Sequence, residues 1–104
     1  MPRKKTITFT ASALKDLSAI RSWYADQQVP AIGEKLLREI ISQVERLGAF
    51  PESGRIVPEF GIVNLREIIY SPFRIIYRLD DNKVRVVRVW RSERLIKMLL
   101  FTPL

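Results

Sequence analysis

Residues 4–10, KKTITFT, alternate polar and apolar, with Ile7 and Phe9 on one side, and this period of two predicts a strand. From Ala11 the spacing changes. Leu14, Leu17, Ile20 and Tyr24 recur at steps of three and four, which predicts an amphipathic helix with Lys15, Arg21 and Asp26 on its other side. Thr10 or Ser12 serves as its N-cap, and it ends near Gln27-Gln28, ahead of Pro30. Pro30 suits the first turn of a second helix, carried by Ile32, Leu36, Leu37, Ile40, Ile41, Val44 and Leu47 and stopped at Gly48. So short a connection lays the two helices antiparallel, as a hairpin.

Residues 49–61, AFPESGRIVPEFG, hold two Pro and two Gly and read as loop, with a short extended piece at Ile56-Val57. Three strands follow, at about 63–70, 73–79 and 84–90. Ser71-Pro72 separates the first two, and Asp80-Asp81-Asn82-Lys83 makes a tight turn between the last two. The expected fold class is α+β. An N-terminal strand and an antiparallel helix hairpin pack on a small, mainly antiparallel twisted sheet, and a short C-terminal helix covers Glu93 to Phe101. With no internal repeat or linker, residues 1–104 read as a single domain.

The turn at Asp81-Asn82 sets a register. Leu79 faces Val84, Tyr77 faces Val86, Ile75 faces Arg88 and Phe73 faces Trp90 on one side of the ribbon. Arg78 faces Arg85, Ile76 faces Val87 and Arg74 faces Val89 on the other. The first side is nearly all apolar and packs on the helices. The second is an apolar ribbon edged by arginine. Arg78 opposite Arg85 is a like-charge pair, unfavourable unless an anion or a carboxylate such as Asp80 or Asp81 lies between them. Arg88, the odd member of the apolar side, either holds Glu67 or another carboxylate or reaches past the helices to solvent. A slip of one residue exchanges every one of these positions.

Charge narrows the choice of partners. Lys and Arg number 18 against 11 Asp and Glu, a net charge of +7. Such a balance favours nucleic acid, an acidic protein or an anionic membrane surface, against the plainer reading of a basic solvated surface. The chain has no Cys and no His, which excludes disulfides, thiol chemistry and every His-based triad or zinc site. No metal and no cofactor are expected. The first residues, MPRKKTITFT, lack the apolar stretch of a secretory signal, and no apolar run is long enough to span a bilayer. A cytoplasmic protein without a membrane partner is the expectation. Trp23 and Tyr24 read as packing residues.

Several phrases, in order along this pattern, carry a resemblance. They are Ala13-Leu14-Lys15-Asp16-Leu17, Phe50-Pro51-Glu52-Ser53-Gly54-Arg55 after Leu47, Val57-Pro58-Glu59, Leu65-Arg66-Glu67, Phe73-Arg74-Ile75-Ile76-Tyr77-Arg78 and Val89-Trp90-Arg91-Ser92-Glu93-Arg94. Together, over roughly residues 5–96, they resemble the RelE/ParE superfamily of toxins from bacterial type II toxin–antitoxin systems. The resemblance implies one of two activities. RelE-like members cut mRNA in the ribosomal A site, and ParE-like members poison DNA gyrase without known hydrolytic chemistry. Both are neutralised by a cognate antitoxin, and operator DNA is contacted only through the toxin–antitoxin complex.

PESGR and LREI look more like ParE, so the expected activity is gyrase inhibition, with Arg66, Arg74, Arg78, Arg85, Arg91 and Arg94 contacting partners. The alternative is a ribosome-dependent mRNA endoribonuclease using Arg74, Arg78, Glu93, Arg94 and Lys97. RNA cleavage needs a base, an acid and cations for the phosphate. The cations are present, but the chain has no His and no Tyr after the last strand. A third possibility is an inactive relative that only binds its antitoxin. In the C-terminal segment Leu95, Ile96, Leu99 and Leu100 fit either a lid over the core or a surface covered by antitoxin.

Overall fold

A computed structural model describes residues 4–91. Its elements are β1 (Thr6–Phe9), α1 (Ala11–Asp26), α2 (Pro30–Glu45) followed by a 3-10 turn (Arg46–Gly48), β2 (Arg55–Ile56), β3 (Leu65–Tyr70), β4 (Phe73–Leu79) and β5 (Lys83–Arg91). The five strands form one sheet in the order β1-β5-β4-β3-β2. Only the β1–β5 pair is parallel; the other three pairs are antiparallel. This is the expected α+β architecture, with the hairpin on one face of the sheet. The helix expected at Glu93 to Phe101 lies outside the described residues.

Local chemistry explains the hairpin. Thr10 caps α1, its hydroxyl accepting the Ala13 N–H at 3.1 Å. The helix closes where Gln28 takes a left-handed φ of 64°, and Pro30 opens α2. The helices cross tightly at Gly33, where an added Cβ would lie 2.8 Å from the Tyr24 Cβ. The main core joins Ala13, Leu17, Ile20 and Tyr24 of α1 and Ile40, Val44 and Leu47 of the second helix and its turn to Phe73, Ile75, Tyr77, Val84, Val86 and Val89 of the sheet.

The inward stripe of α1 therefore starts at Ala13, and Leu14 is exposed. The Thr10 N–H bonds to the Val86 carbonyl and the Thr10 hydroxyl to the Val87 carbonyl. These bonds draw the first helical turn close to β5, where a methyl fits. Ile32 is likewise exposed at the start of α2.

The β4–β5 register follows the turn for three pairs, Leu79 with Val84, Arg78 with Arg85 and Tyr77 with Val86. It then shifts by one residue, so that Ile76 pairs with Arg88, Ile75 with Val89, Arg74 with Trp90 and Phe73 with Arg91. The expected pairs Ile76–Val87, Ile75–Arg88, Arg74–Val89 and Phe73–Trp90 are corrected accordingly. The shift occurs where β1 leaves the sheet, since its last residue, Phe9, pairs with Val86. Beyond that point β5 has no strand on this side, and α1 side chains supply the partners. The Val87 carbonyl accepts from the Thr10 hydroxyl at 3.0 Å, and the Val89 N–H donates to Asp16 Oδ2 at 2.9 Å. The ladder yields one residue to this contact and bulges. Arg88 and Trp90 consequently move to the face away from the helices.

Candidate functional site

The site is the open face of the sheet with the loop that crosses it. Its geometry starts beneath, at Tyr77. This side chain is fully buried, and its hydroxyl donates to the Pro51 carbonyl at 2.8 Å while accepting the Gly54 N–H at 2.9 Å. A Cβ on Gly54 would fall 2.5 Å from that hydroxyl and 2.6 Å from the Glu67 carbonyl, so the close approach requires glycine. Burial pushes the Tyr77 phenol up from its ordinary range, as desolvation penalises the phenolate. Arg66, opposite Tyr77 on the helix side, donates to the Gly54 carbonyl at 3.1 Å. The Pro51–Gly54 turn is thereby held against the sheet, and it delivers Arg55 to β2 opposite Glu67.

Glu67 is the centre of the open face. Its side chain is 0% exposed, in a strand where the flanking same-face residues are Leu65 and Ile69. One oxygen accepts Arg55 Nε at 2.6 Å; the other accepts Arg74 Nε at 2.7 Å and a short bond from Arg74 Nη2. The outer fork of Arg74 is filled by Glu59 of the loop, Nη1 to Oε2 at 2.7 Å and Nη2 to Oε1 at 2.8 Å. The bond to Arg74 holds the Glu59 carboxyl below its usual range, against the opposing effect of desolvation. The same bond leads the causes that raise the Arg74 guanidinium. Beside this ion network, Val57 and Ile76 form a second small core with Leu65, Val87 and Trp90. The Arg88 guanidinium lies over the Trp90 ring, 4.3 Å from its centroid, and is tied to Asp16 at 2.8 and 2.9 Å.

Of the six arginines expected to contact partners, the five that are described do not form one cluster. Arg78 and Arg85 are Cα partners on the open face, both exposed. Arg78 has no ion pair among the described residues, and Arg85 has only Asp80 at 3.9 Å. Arg74 is 4% exposed, sunk between Glu59 and Glu67, and does not edge the face as expected. Its two carboxylate partners draw it inward. Arg66 sits on the opposite face under the Pro51–Gly54 turn. Arg91 sits at the far end of β5, its guanidinium 5.0 Å from the Trp23 ring and 5.7 Å from Phe73, donating to the Tyr24 hydroxyl at 3.3 Å. Trp23 is half exposed under that cation. Glu93, Arg94 and Lys97 lie outside the described residues.

Sequence reasoning left open the partner of Arg88, which is Asp16, and did not foresee the double grip on Glu67. A lone carboxylate between Leu65 and Ile69 in a strand was the available signal for the second. Charge is unevenly distributed. Residues 11–48 carry five Lys and Arg and five Asp and Glu, while residues 49–91 carry eight against five. Among the described residues no group of three or more His, Cys, Asp or Glu could hold a metal ion, and no helix is long and apolar enough to cross a membrane.

This arrangement can bind anions, and among the described residues the carboxylate that lies beside the exposed arginines is Asp80. Similar folds appear among solved toxins. The chromosomal ParDE system from P. aeruginosa superposes with a TM-score of 0.72 at 23% identity, over 85% of this chain and 96% of that one. The RelBE2 toxin–antitoxin complex from Mycobacterium tuberculosis gives 0.61 at 20%, over 86% and 99%. E. coli toxin RelE with an antitoxin RelBc peptide gives 0.54 at 18%, over 97% and 99%. At such identities the likeness concerns the fold. No curated protein sequence matches this chain. The family profile described as "ParE toxin of type II toxin-antitoxin system, parDE" matches residues 7–96, which is most of the chain, from β1 past the end of β5. The chain thus belongs to the ParE toxin family of type II toxin–antitoxin systems.

Proposed function

We propose that this toxin inhibits DNA gyrase and is neutralised by a cognate antitoxin. The observation that carries the choice of target is Arg74. Ribonuclease action needs cations free to hold a phosphodiester. Here the most central guanidinium is buried and paired twice, with Glu59 and Glu67. The absence of His from the chain supports the same non-hydrolytic reading. Arg78 and Arg85 are then contacts to partners on the open face, Arg91 and Arg94 are further partner contacts separate from that pair in the chain, and Arg66 and Arg74 hold the scaffold. The solved relatives are toxin–antitoxin complexes, which supports an antitoxin partner here. Operator DNA is reached only through that complex, and the site of action is the cytoplasm.

A second reading, a RelE-like endoribonuclease acting on mRNA at the ribosome, draws on one observation. Arg78 and Arg85 are adjacent, exposed and suited to a phosphate. Induction in a bacterial host, with parallel pulse labelling of DNA, RNA and protein synthesis, separates the two. An early fall in DNA synthesis with a DNA-damage response is the expected result, followed by inhibition of purified gyrase. An early fall in translation with cleaved mRNA would refute the gyrase target. Growth without effect would indicate an inactive antitoxin-binding relative.

A further inference from the structure

The loop between β2 and β3 is anchored at both ends. The Val57 N–H bonds to the Leu65 carbonyl, the Leu65 N–H to the Ile62 carbonyl and the Leu79 N–H to the Asn64 carbonyl. Between these anchors the backbone bonds are internal to the loop, Phe60 and Gly61 both donating to the Val57 carbonyl. The polar tie from this central part to the sheet, among the described residues, is Glu59 on Arg74. The two carboxylates on Arg74 thus differ in kind. Glu67 is sealed in the middle of a strand at 0% exposure, whereas Glu59 is 24% exposed on a loop lying over the face.

The loop that carries Glu59 is itself apolar at its surface. Phe60, Ile62 and Val63, three of the nine exposed large hydrophobics among the described residues, lie within four positions just after Glu59. The neighbouring cation, Arg55, is 60% exposed and uses Nε on Glu67, and among the described residues its terminal nitrogens carry no partner. A buried guanidinium fork, a neighbouring guanidinium engaged through Nε alone and an apolar loop beside them describe a receptor for a carboxylate flanked by apolar side chains.

We propose that Glu59 is the resident occupant of a carboxylate-binding site formed by Arg74 and Arg55, and that an acidic, apolar-flanked segment of a protein partner exchanges with it. The exchange replaces one carboxylate–guanidinium pair with another, so the desolvated Arg74 charge is never left bare. The cost reduces to reordering residues 58–61, offset by burial of Phe60, Ile62 and Val63 against the incoming segment. The apolar loop favours a protein segment over nucleic acid, whose phosphates would gain nothing from it. The inference goes beyond the gyrase reading and does not depend on which enzyme the toxin inhibits.

The probe is a fluorescein-labelled, terminally blocked peptide alternating Leu and Glu, with a Leu/Gln peptide and a single-stranded ten-nucleotide DNA as controls. Binding to the full chain is read by anisotropy, and the state of the fork by the Arg74 Nε–H NMR resonance. Glu59→Ala should bind the acidic peptide at least tenfold more tightly than the wild type, leave the neutral peptide unchanged and lose the gain when Arg74→Lys is added. Glu59→Gln, which keeps the loop's shape, should show a smaller gain in the same direction and carries the test if Glu59→Ala fails to fold. Equal gains for the acidic and neutral peptides would overturn the site, as would no gain in a folded variant. A larger gain for the oligonucleotide would overturn the protein partner and assign the fork to phosphate.

Discussion

Tyr77 fixes the platform with a single hydroxyl, bonded to Pro51 and Gly54. Tyr77→Phe keeps the ring and its packing but leaves two backbone groups without a partner in a buried place. A loss of about 1–3 kcal/mol is expected, read as a lower urea midpoint at unchanged m-value. An unchanged midpoint would mean that solvent reaches the Pro51–Gly54 turn. Glu59 is a residue whose contribution depends on pH. Its folded carboxyl titrates below the ordinary glutamate range, so the stability it adds is present above that range and is lost as pH falls through the lowered value. The stability difference between wild type and Glu59→Gln should therefore be steady near about pH 7 and shrink on acidification below about pH 4. A difference independent of pH would show that the Glu59–Arg74 fork contributes shape and no charge. Tyr77 adds the opposite limb: its raised phenol favours the fold below the ordinary tyrosine range and ceases to do so as pH climbs through the raised value.

At the scale of elements, β5 depends on α1 for the half of its edge that β1 does not cover. Asp16 serves that edge three times, through two bonds to Arg88 and one from the Val89 N–H. Asp16→Ala removes all three. Asp16 is 14% exposed and Arg88 38%, so solvent screening limits the loss to about 2–3 kcal/mol. Asp16→Asn retains an oxygen for Val89 and should cost less. The Val89 amide should exchange with deuterium faster in Asp16→Ala than in Asp16→Asn, and equal rates in the two would exclude Asp16 as the cap of this edge.

This dependence also marks the limit of what the sequence shows. The periods of two and 3.6 were enough to place β4 at 73–79 and both helices, because periodicity is local. The bulge was not legible, since its cause, Asp16, lies 73 residues from Val89 in the chain. The burial of Arg74 was hidden for the same reason. In sequence it is one of a row of arginines, and only the folded loop brings Glu59 to it.

Across the whole molecule, charge and stability pull in different directions. The hairpin is electrically balanced and the sheet region is not. The fold answers part of that excess internally, by giving Arg74 two carboxylates and Arg88 one. It leaves Arg78 and Arg85 directly opposed and exposed, with one distant carboxylate, Asp80, among the described residues. A like-charge cross-strand pair opposes folding. Replacing one member with a neutral residue of similar length, Arg78→Gln, should raise the stability of the free protein by roughly 0.2–1 kcal/mol at low salt. The gain should fade near about 1 M salt, where screening shortens the reach of the charges to a few ångströms. On the proposed role of Arg78 in partner contact, the same variant should also lose growth inhibition, as the field that would attract an anionic partner weakens. Thermal melts at two salt concentrations and an induction assay test both halves. A variant no more stable than the wild type at low salt would show that Asp80 already neutralises the pair. A variant that is stabilised and still fully toxic would place the essential partner contacts away from Arg78.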